Sequence, residues 1–130
     1  MRLFAPLMLV VLAACGSANA TSSSVEIGIE HSRFEPSRIV VRAGESVTFV
    51  IRNDDPIAHE FIVGDERVQQ VHEEGTEAHH DPRPGEVSIA AGETVTTTYA
   101  FDEPGELIFG CHLPGHYAYG MRGTIEIQGP

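Results

Sequence analysis

The sequence predicts an all-β fold, an antiparallel sandwich or barrel of about eight strands. Short runs rich in β-branched and aromatic residues recur from residue 25 onward, and Gly, Pro, Asn or Asp interrupt them at roughly eight- to twelve-residue intervals. In the first run Val25, Ile27 and Ile29 alternate with polar or small residues, as in a strand with one buried face. A chain of 130 residues has room for one such domain and excludes a multidomain enzyme.

Each of these runs is a predicted strand, and one long segment between two of them is predicted not to be a strand. Residues 64–85 are too polar and too poor in β-forming residues for a strand. Within them, residues 65–74 could form one short helix with Val68 and Val71 on its buried side. The predicted strands occupy residues 25–30, 38–42, 46–52, 59–63, 86–90, 94–101, 106–111 and 123–128.

The first twenty residues are typical of a secretory leader. Arg2 precedes an apolar run at residues 3–14, which is shorter than the ~20 residues that a spanning helix needs. The sequence allows two alternative cleavage sites. Residues 18–20 (Ala-Asn-Ala) fit ordinary signal cleavage, whereas residues 12–15 (Leu-Ala-Ala-Cys) resemble the lipobox of bacterial lipoproteins.

We favour the lipoprotein interpretation. It predicts a signal peptide at residues 1–14, a lipid-bearing Cys15, a flexible tether at 15–24 and a folded domain at 25–130. The protein would then lie on the periplasmic or extracytoplasmic face of the cell envelope, and it would contact a membrane only through the lipid on Cys15.

The charge balance excludes some partners. Eight basic residues, all Arg, stand against 19 acidic ones, for a net charge of −11. Nucleic acids and anionic membrane surfaces require a basic footprint, so neither is expected as a partner. Loss of Arg2 with the leader leaves a charge of −12. Cys111 would then be an exported thiol without a disulfide partner, which requires an explanation.

A candidate metal-binding loop supplies that explanation. Cys111, His116 and Met121 follow a predicted strand at five-residue intervals. Two imidazoles, a thiolate and a weak axial thioether form the donor set of blue-copper electron-transfer sites. His59 is the best candidate for the second imidazole, because it opens a strand directly after the loop at residues 53–58.

From residue 25 to 128 the sequence resembles the cupredoxins, the family of plastocyanin and azurin. The loop carries Cys, Pro-Gly-His and Gly-Met at the family's spacing, and residues 34–49 resemble its opening strands. The resemblance implies a Greek-key β-sandwich, one mononuclear type 1 copper and Cu(II)/Cu(I) electron transfer without enzymatic turnover. The ligands that it implies are His59, Cys111, His116 and Met121.

Two positions depart from the family's pattern. Many cupredoxins have Asn after the first His and Ser or Thr after the Cys, where this chain has Glu60 and His112. We expect the Glu60 carboxylate and the His112 imidazole to form a charge-assisted pair across the two loops. The alternatives are two independent surface residues, or entry of one of them into the metal's coordination.

The resemblance also implies a docking patch for redox partners around the second His. Leu113, Pro114, Tyr117 and Ile57 could form it. Because the chain is strongly acidic, we expect redox partner proteins with a basic docking face, and we expect the chain to be a monomer. His31 is assigned no role.

Other functions remain open. A copper-tolerance or copper-delivery protein of the envelope could use the same site. A relative of the multicopper oxidases or nitrite reductases is disfavoured, because one domain lacks the copper ligands that those enzymes place between domains. A metal-free Ig-like sandwich is the remaining alternative. His72, His79 and His80 could bind a second metal, although a solvated acidic loop is the preferred interpretation of their segment.

Overall fold

A computed structural model of the protein describes residues 22–75 and 81–129. This part of the chain contains nine strands and one helix. No helix in it is long and apolar enough to cross a membrane. In chain order, the elements are β1 (Ser22–Glu30), β2 (Arg33–Glu35), β3 (Arg38–Arg42), β4 (Glu45–Asn53), β5 (His59–Gly64), α1 (Glu66–Glu73), β6 (Glu86–Ile89), β7 (Thr94–Phe101), β8 (Gly105–Gly110) and β9 (Arg122–Gln128).

The strands form two sheets, with the orders β2-β1-β4-β7 and β3-β9-β8-β5-β6. This arrangement confirms the predicted all-β sandwich with one short helix. Both sheets are mixed, because β1 pairs with β4 and β3 pairs with β9 in parallel. The antiparallel pairing that the sequence predicted therefore does not hold for these two pairs, whereas the other five described pairs are antiparallel. Along the chain β3, in the other sheet, separates β1 from β4, so these neighbours need not reverse direction as hairpin partners do.

The inner faces of the two sheets share one apolar core. Alternation along β4 buries Val47, Phe49 and Ile51, none of which is exposed. Phenylalanines from both sheets meet at its centre, where Phe49 and Phe61 have ring centroids 5.2 Å apart. This packing holds β5 and β8, the strands that carry the candidate ligands. The other rings of the cluster are Phe34, Phe101 and Phe109.

The strand bounds agree with the predictions to within a few residues, with two differences. The short strand β2 was missed, because three residues cannot show a clear alternation. The strand β1 begins at Ser22, whereas the sequence predicted a tether that continues to residue 24. The predicted leader, Cys15, His79 and His80 lie outside the described residues.

The helix α1 lies within the predicted segment, but its buried side differs from the prediction. Asp65 is its N-cap and accepts a hydrogen bond from the backbone N–H of Val68 at 2.9 Å. Val68 and Val71 are only partly buried, whereas Gln69 is the buried residue of the helix. Its amide donates to the carbonyls of Ile62 and Ile108, at 3.1 and 3.0 Å, and so attaches the helix to β5 and β8.

Candidate metal centre

The strands β5 and β8 bring His59 and Cys111 together. The two strands are antiparallel, with Ile62 opposite Gly110. The first residue of β5 and the residue that follows β8 therefore lie at the same edge of the sheet. The structure thus places the predicted upstream histidine beside the loop that starts at Cys111.

The donor atoms of His59, Cys111 and His116 face one another. The two Nδ1 atoms are 3.2 Å apart, and Sγ of Cys111 lies 3.3 Å from Nδ1 of His116 and 3.9 Å from Nδ1 of His59. All three lie within 4.8 Å of one another, and no other group of three or more such donors is found in the described chain. Two imidazole nitrogens and one sulfur are the donors that suit copper, so these residues fit that metal.

The loop from Cys111 to Met121 closes on itself through its backbone. The N–H of Cys111 donates to the carbonyl of Met121 at 3.1 Å, and the N–H of Met121 donates to the carbonyl of His116 at 2.9 Å. Gly115, with φ +84°, supplies the left-handed conformation that the turn before His116 requires. Met121 is completely buried, and these bonds place its backbone beside the backbones of Cys111 and His116.

His59 is inaccessible to solvent and is bound by a carboxylate. Its Nε2 lies 2.9 Å from Oδ2 of Asp55, which is itself 8% exposed. Burial lowers the pKa of His59, and the opposing effect of Asp55 does not cancel it. Burial alone would raise the pKa of Asp55, but hydrogen bonds from Ser32, His31 and His59 outweigh burial and lower it. Both shifts favour a neutral imidazole next to an ionised carboxylate.

Cys111 is fully buried, and this burial raises the pKa of its thiol. The backbone N–H of Glu60 donates to Sγ at 3.3 Å, and a backbone hydrogen bond from Leu113 likewise opposes the shift. An inert buried thiol is expected to keep its proton until a metal ion replaces it.

The expected pair between the Glu60 carboxylate and the His112 imidazole is wrong. The Glu60 carboxylate accepts the backbone N–H of His112, at 3.3 Å, so it does connect the two loops. The His112 imidazole instead turns toward α1, where Nδ1 lies 2.8 Å from Oε2 of Glu73 and Nε2 lies 2.7 Å from Oε1 of Gln69. The helix was predicted, but its contact with His112 was not, and Glu73 and Gln69 on it occupy both nitrogens of this ring.

Gln69 and Asp55 are the supporting residues that the sequence did not single out. Glutamine is usually exposed, so nothing in the helical pattern indicated that Gln69 would be buried. Asp55 lies in a segment read as a loop. Its partners His31 and Ser32 are 24 and 23 residues away in sequence. The one available signal was its position four residues before the predicted ligand His59.

The predicted docking residues lie on the same loop as His116, which is itself partly exposed. Pro114 is exposed, and Leu113 and Tyr117 are half-buried. The ring of Tyr117 stacks on the His112 ring, with centroids 4.6 Å apart. Further exposed apolar side chains are Ile57, in the loop before β5, at 47% exposure, and Tyr119, which lies on the same loop as His116 and was not predicted, at 80%.

His72, one of the three histidines considered for a second metal site, contacts Val68, His112 and Glu86. Its Nδ1 lies 2.9 Å from the carbonyl of Val68, and its ring packs against that of His112 at 5.8 Å between centroids. Nε2 of His72 is 3.7 Å from the Glu86 carboxylate. His79 and His80 lie outside the described residues, and the second metal site stays an alternative raised by the sequence.

The sequence of this chain matches a known family of copper proteins. Residues 21–128 match the family described as copper binding proteins of the plastocyanin/azurin type. The protein is a cupredoxin. The chain belongs to this family over most of its length, which confirms the resemblance seen in the sequence.

Three relatives show how far the likeness extends. "Copper-resistant cuproprotein CopI" of Rubrivivax gelatinosus is 36% identical over 74% of this chain and 60% of its own, so this cupredoxin spans less than two thirds of that relative. The protein of the same name from Pseudomonas aeruginosa is 28% identical over 85% of this chain and 79% of its own. The solved structure of auracyanin A, a "blue" copper protein from Chloroflexus aurantiacus, has a TM-score of 0.64 and 25% identity, and the match covers 83% of this chain and 100% of that one.

The cofactor of this cupredoxin is a single copper ion. Family membership and the clustered donors of His59, Cys111 and His116 agree on this point. The donor cluster lies at the end of the sandwich where β5 begins and β8 ends.

Proposed function

We propose that this cupredoxin is an exported electron-transfer protein with a type 1 copper site formed by His59, Cys111, His116 and Met121. One observation carries the proposal: two imidazole nitrogens and one sulfur face a common point within 4.8 Å of one another. One thiolate with two imidazoles and a weak axial thioether is the ligand set of electron-transfer copper.

Bound copper supplies the Cu(II)/Cu(I) couple, and the residues of the chain hold the ligands in place before the electron arrives. His59 is anchored on β5, and Cys111 is anchored by the end of β8 and by the backbone bond to Met121. Little movement of these residues is needed between the two oxidation states. No side chain of the set is required to bind a substrate, so the proposed role is that of a carrier and not an enzyme.

The surroundings of the sulfur contribute to the proposed redox behaviour. The backbone N–H groups of Glu60 and Leu113 donate to Sγ of Cys111, and the side chain is fully buried. A hydrogen bond to the sulfur and exclusion of water are two of the features that set the potential of such sites.

Electron exchange is proposed to pass through the surface around His116. This histidine is the partly exposed member of the set, whereas His59 and Cys111 are buried. Leu113, Pro114 and Tyr117 lie on the same loop and supply an apolar contact area. The net charge of −11 favours partner proteins with a basic face, because complementary charge mainly increases the rate of encounter.

A copper-tolerance role in the cell envelope is the second candidate. The observation that favours it is the name of the relatives from Rubrivivax gelatinosus and Pseudomonas aeruginosa, both called copper-resistant cuproprotein. The two roles differ in whether the copper stays bound. Both are compatible with export, for which the predicted leader at residues 1–20 is the support, and with a lipid anchor on Cys15, which remains a prediction.

Voltammetry and copper retention separate the two roles. Copper-loaded protein is adsorbed on an electrode, and in parallel it is mixed with a metal-free acceptor protein. A reversible one-electron wave with slow copper loss is expected for the carrier. Rapid copper transfer to the acceptor without a reversible wave would reject the carrier in favour of copper delivery.

A further inference from the structure

We propose that Asp55 is a positioning residue for the copper site. Its carboxylate holds His59 in the tautomer that leaves Nδ1 free for the metal, and its charge lowers the reduction potential of the site. The inference rests on the proposed type 1 site and adds a residue that the family's ligand set does not contain.

The first support is the geometry of the carboxylate. Oδ2 of Asp55 lies 2.9 Å from Nε2 of His59 and accepts a hydrogen bond from the backbone N–H of Ser32 at 2.8 Å. Oδ1 accepts from the backbone N–H of His31 at 2.7 Å. An ionised carboxylate can only accept hydrogen bonds, so the two backbone donors match its charged form.

The tautomer of His59 follows from this contact. A neutral imidazole carries one proton, and a carboxylate acceptor 2.9 Å from Nε2 places that proton on Nε2. Nδ1 then presents a lone pair toward Nδ1 of His116 and Sγ of Cys111. Without Asp55, the proton could occupy Nδ1 and block the position that a metal needs.

The negative charge of Asp55 should lower the reduction potential of the copper site. The oxidised site carries one more positive charge than the reduced site, so a nearby carboxylate stabilises the oxidised site more. Hydrogen bonding to the carboxylate also makes the imidazole a stronger donor. Because Asp55 is 8% exposed and His59 is not exposed at all, water screens this interaction only weakly.

The turn between β1 and β2 is built to hold the carboxylate. His31 and Ser32 both have positive φ, +54° and +53°, which is uncommon for residues other than glycine. Two successive residues in this conformation direct both N–H groups to one side, where they bind Asp55. His31, for which the sequence suggested no role, contributes through its backbone.

The test compares Asp55→Asn with Asp54→Asn in the copper-loaded full chain. Asp54 is the adjacent acid, is exposed and pairs with Arg52 at 2.8 Å, so its replacement removes the same charge without touching His59. We expect Asp55→Asn to increase the ratio of the Cu(I) affinity to the Cu(II) affinity about tenfold. This increase raises the reduction potential by about 59 mV for a one-electron couple. Asp54→Asn should keep the wild-type potential. An unchanged or lowered potential in blue, copper-loaded Asp55→Asn would overturn the proposal.

A second measurement needs no variant and covers the case in which Asp55→Asn does not fold. Long-range ¹H–¹⁵N NMR of the metal-free wild-type protein reports which nitrogen of His59 carries the proton. A proton on Nε2 supports the role of Asp55, and a proton on Nδ1 would overturn it. If the copper-loaded wild-type protein were not blue, the proposed function would fail. The tautomer of His59 would still show whether Asp55 fixes the proton on Nε2.

Discussion

Two buried polar networks support the two ligand-bearing segments, and they differ in what they contact. The Asn53–Asp55 network ends on the imidazole of His59, a proposed ligand. The Gln69–His112 network ends on the residue that follows Cys111 and connects it to α1. The first network therefore controls the state of a metal donor, whereas the second controls how firmly the helix is attached.

This difference means that stability and redox potential should respond separately. A change in the Asn53–Asp55 network should alter both quantities, because the same bonds hold the loop and orient His59. A change in the Gln69–His112 network should alter stability alone. The following variants test that separation.

Replacing Asn53 is expected to have the largest effect. Its buried amide donates to the carbonyls of Ile57, Ile89 and Ala90, at 2.8, 3.3 and 3.1 Å, and its carbonyl accepts the N–H of Asp55 at 3.0 Å. Asn53→Ala leaves several buried groups unpaired, so we expect it to lower the free energy of unfolding by about 3 kcal/mol or more.

Denaturant unfolding and voltammetry of Asn53→Ala measure the two consequences. The potential should also shift, because the N–H of Asp55 loses its acceptor and the carboxylate is less firmly held. Arg52→Ala, an exposed neighbour, is the matched control and should cost no more than about 0.5 kcal/mol. Full stability in Asn53→Ala would show that the loop does not depend on this network.

Gln69→Leu is expected to have the next largest effect. It removes the donor to the carbonyls of Ile62 and Ile108 and the acceptor for His112, while a side chain of similar size fills the space. We expect a loss of about 2 kcal/mol in the free energy of unfolding. The potential should stay at the wild-type value, because neither His59 nor Sγ of Cys111 loses a contact.

The exposed neighbour Gln70 gives the control for this variant, since Gln70→Leu should leave the stability within about 0.5 kcal/mol. A shift of potential in Gln69→Leu that matches the shift in Asp55→Asn would contradict the separation of the two networks.

The smallest expected effect is a gain in stability. The double change His31→Asn with Ser32→Gly supplies the residues preferred in a two-residue turn with positive φ at both positions. Both N–H donors to Asp55 remain, so we expect about 1 kcal/mol of stabilisation by thermal unfolding and an unchanged potential. Destabilisation would indicate that the side chains of the turn matter more than its backbone.

The sequence predicted those parts of the fold that have a recognisable pattern over a few neighbouring residues. Runs of β-branched and aromatic residues between turn residues predicted eight of the nine described strands, and the spacing of Cys111, His116 and Met121 predicted the metal-binding loop. Parallel and antiparallel strands share the same alternation, so the pairing of β1 with β4 was not readable.

The supporting contacts of the site depend on residues distant in sequence. The bond from His31 to Asp55 spans 24 residues, and the bond from Gln69 to His112 spans 43. Neither pair has a spacing that a local pattern could reveal. The expected pairing of Glu60 with the His112 ring failed for the same reason, because the competing acceptors lie on a helix whose orientation the sequence did not give.

Titration of the full chain with Cu(II), followed by visible absorption, tests the proposed site most directly. We expect an intense thiolate-to-copper band that saturates at one copper per chain, disappears in Cys111→Ser and persists in Cys15→Ser, the control at the other cysteine. A colourless complex, or a band that survives in Cys111→Ser, would contradict the assignment of Cys111 as the copper ligand.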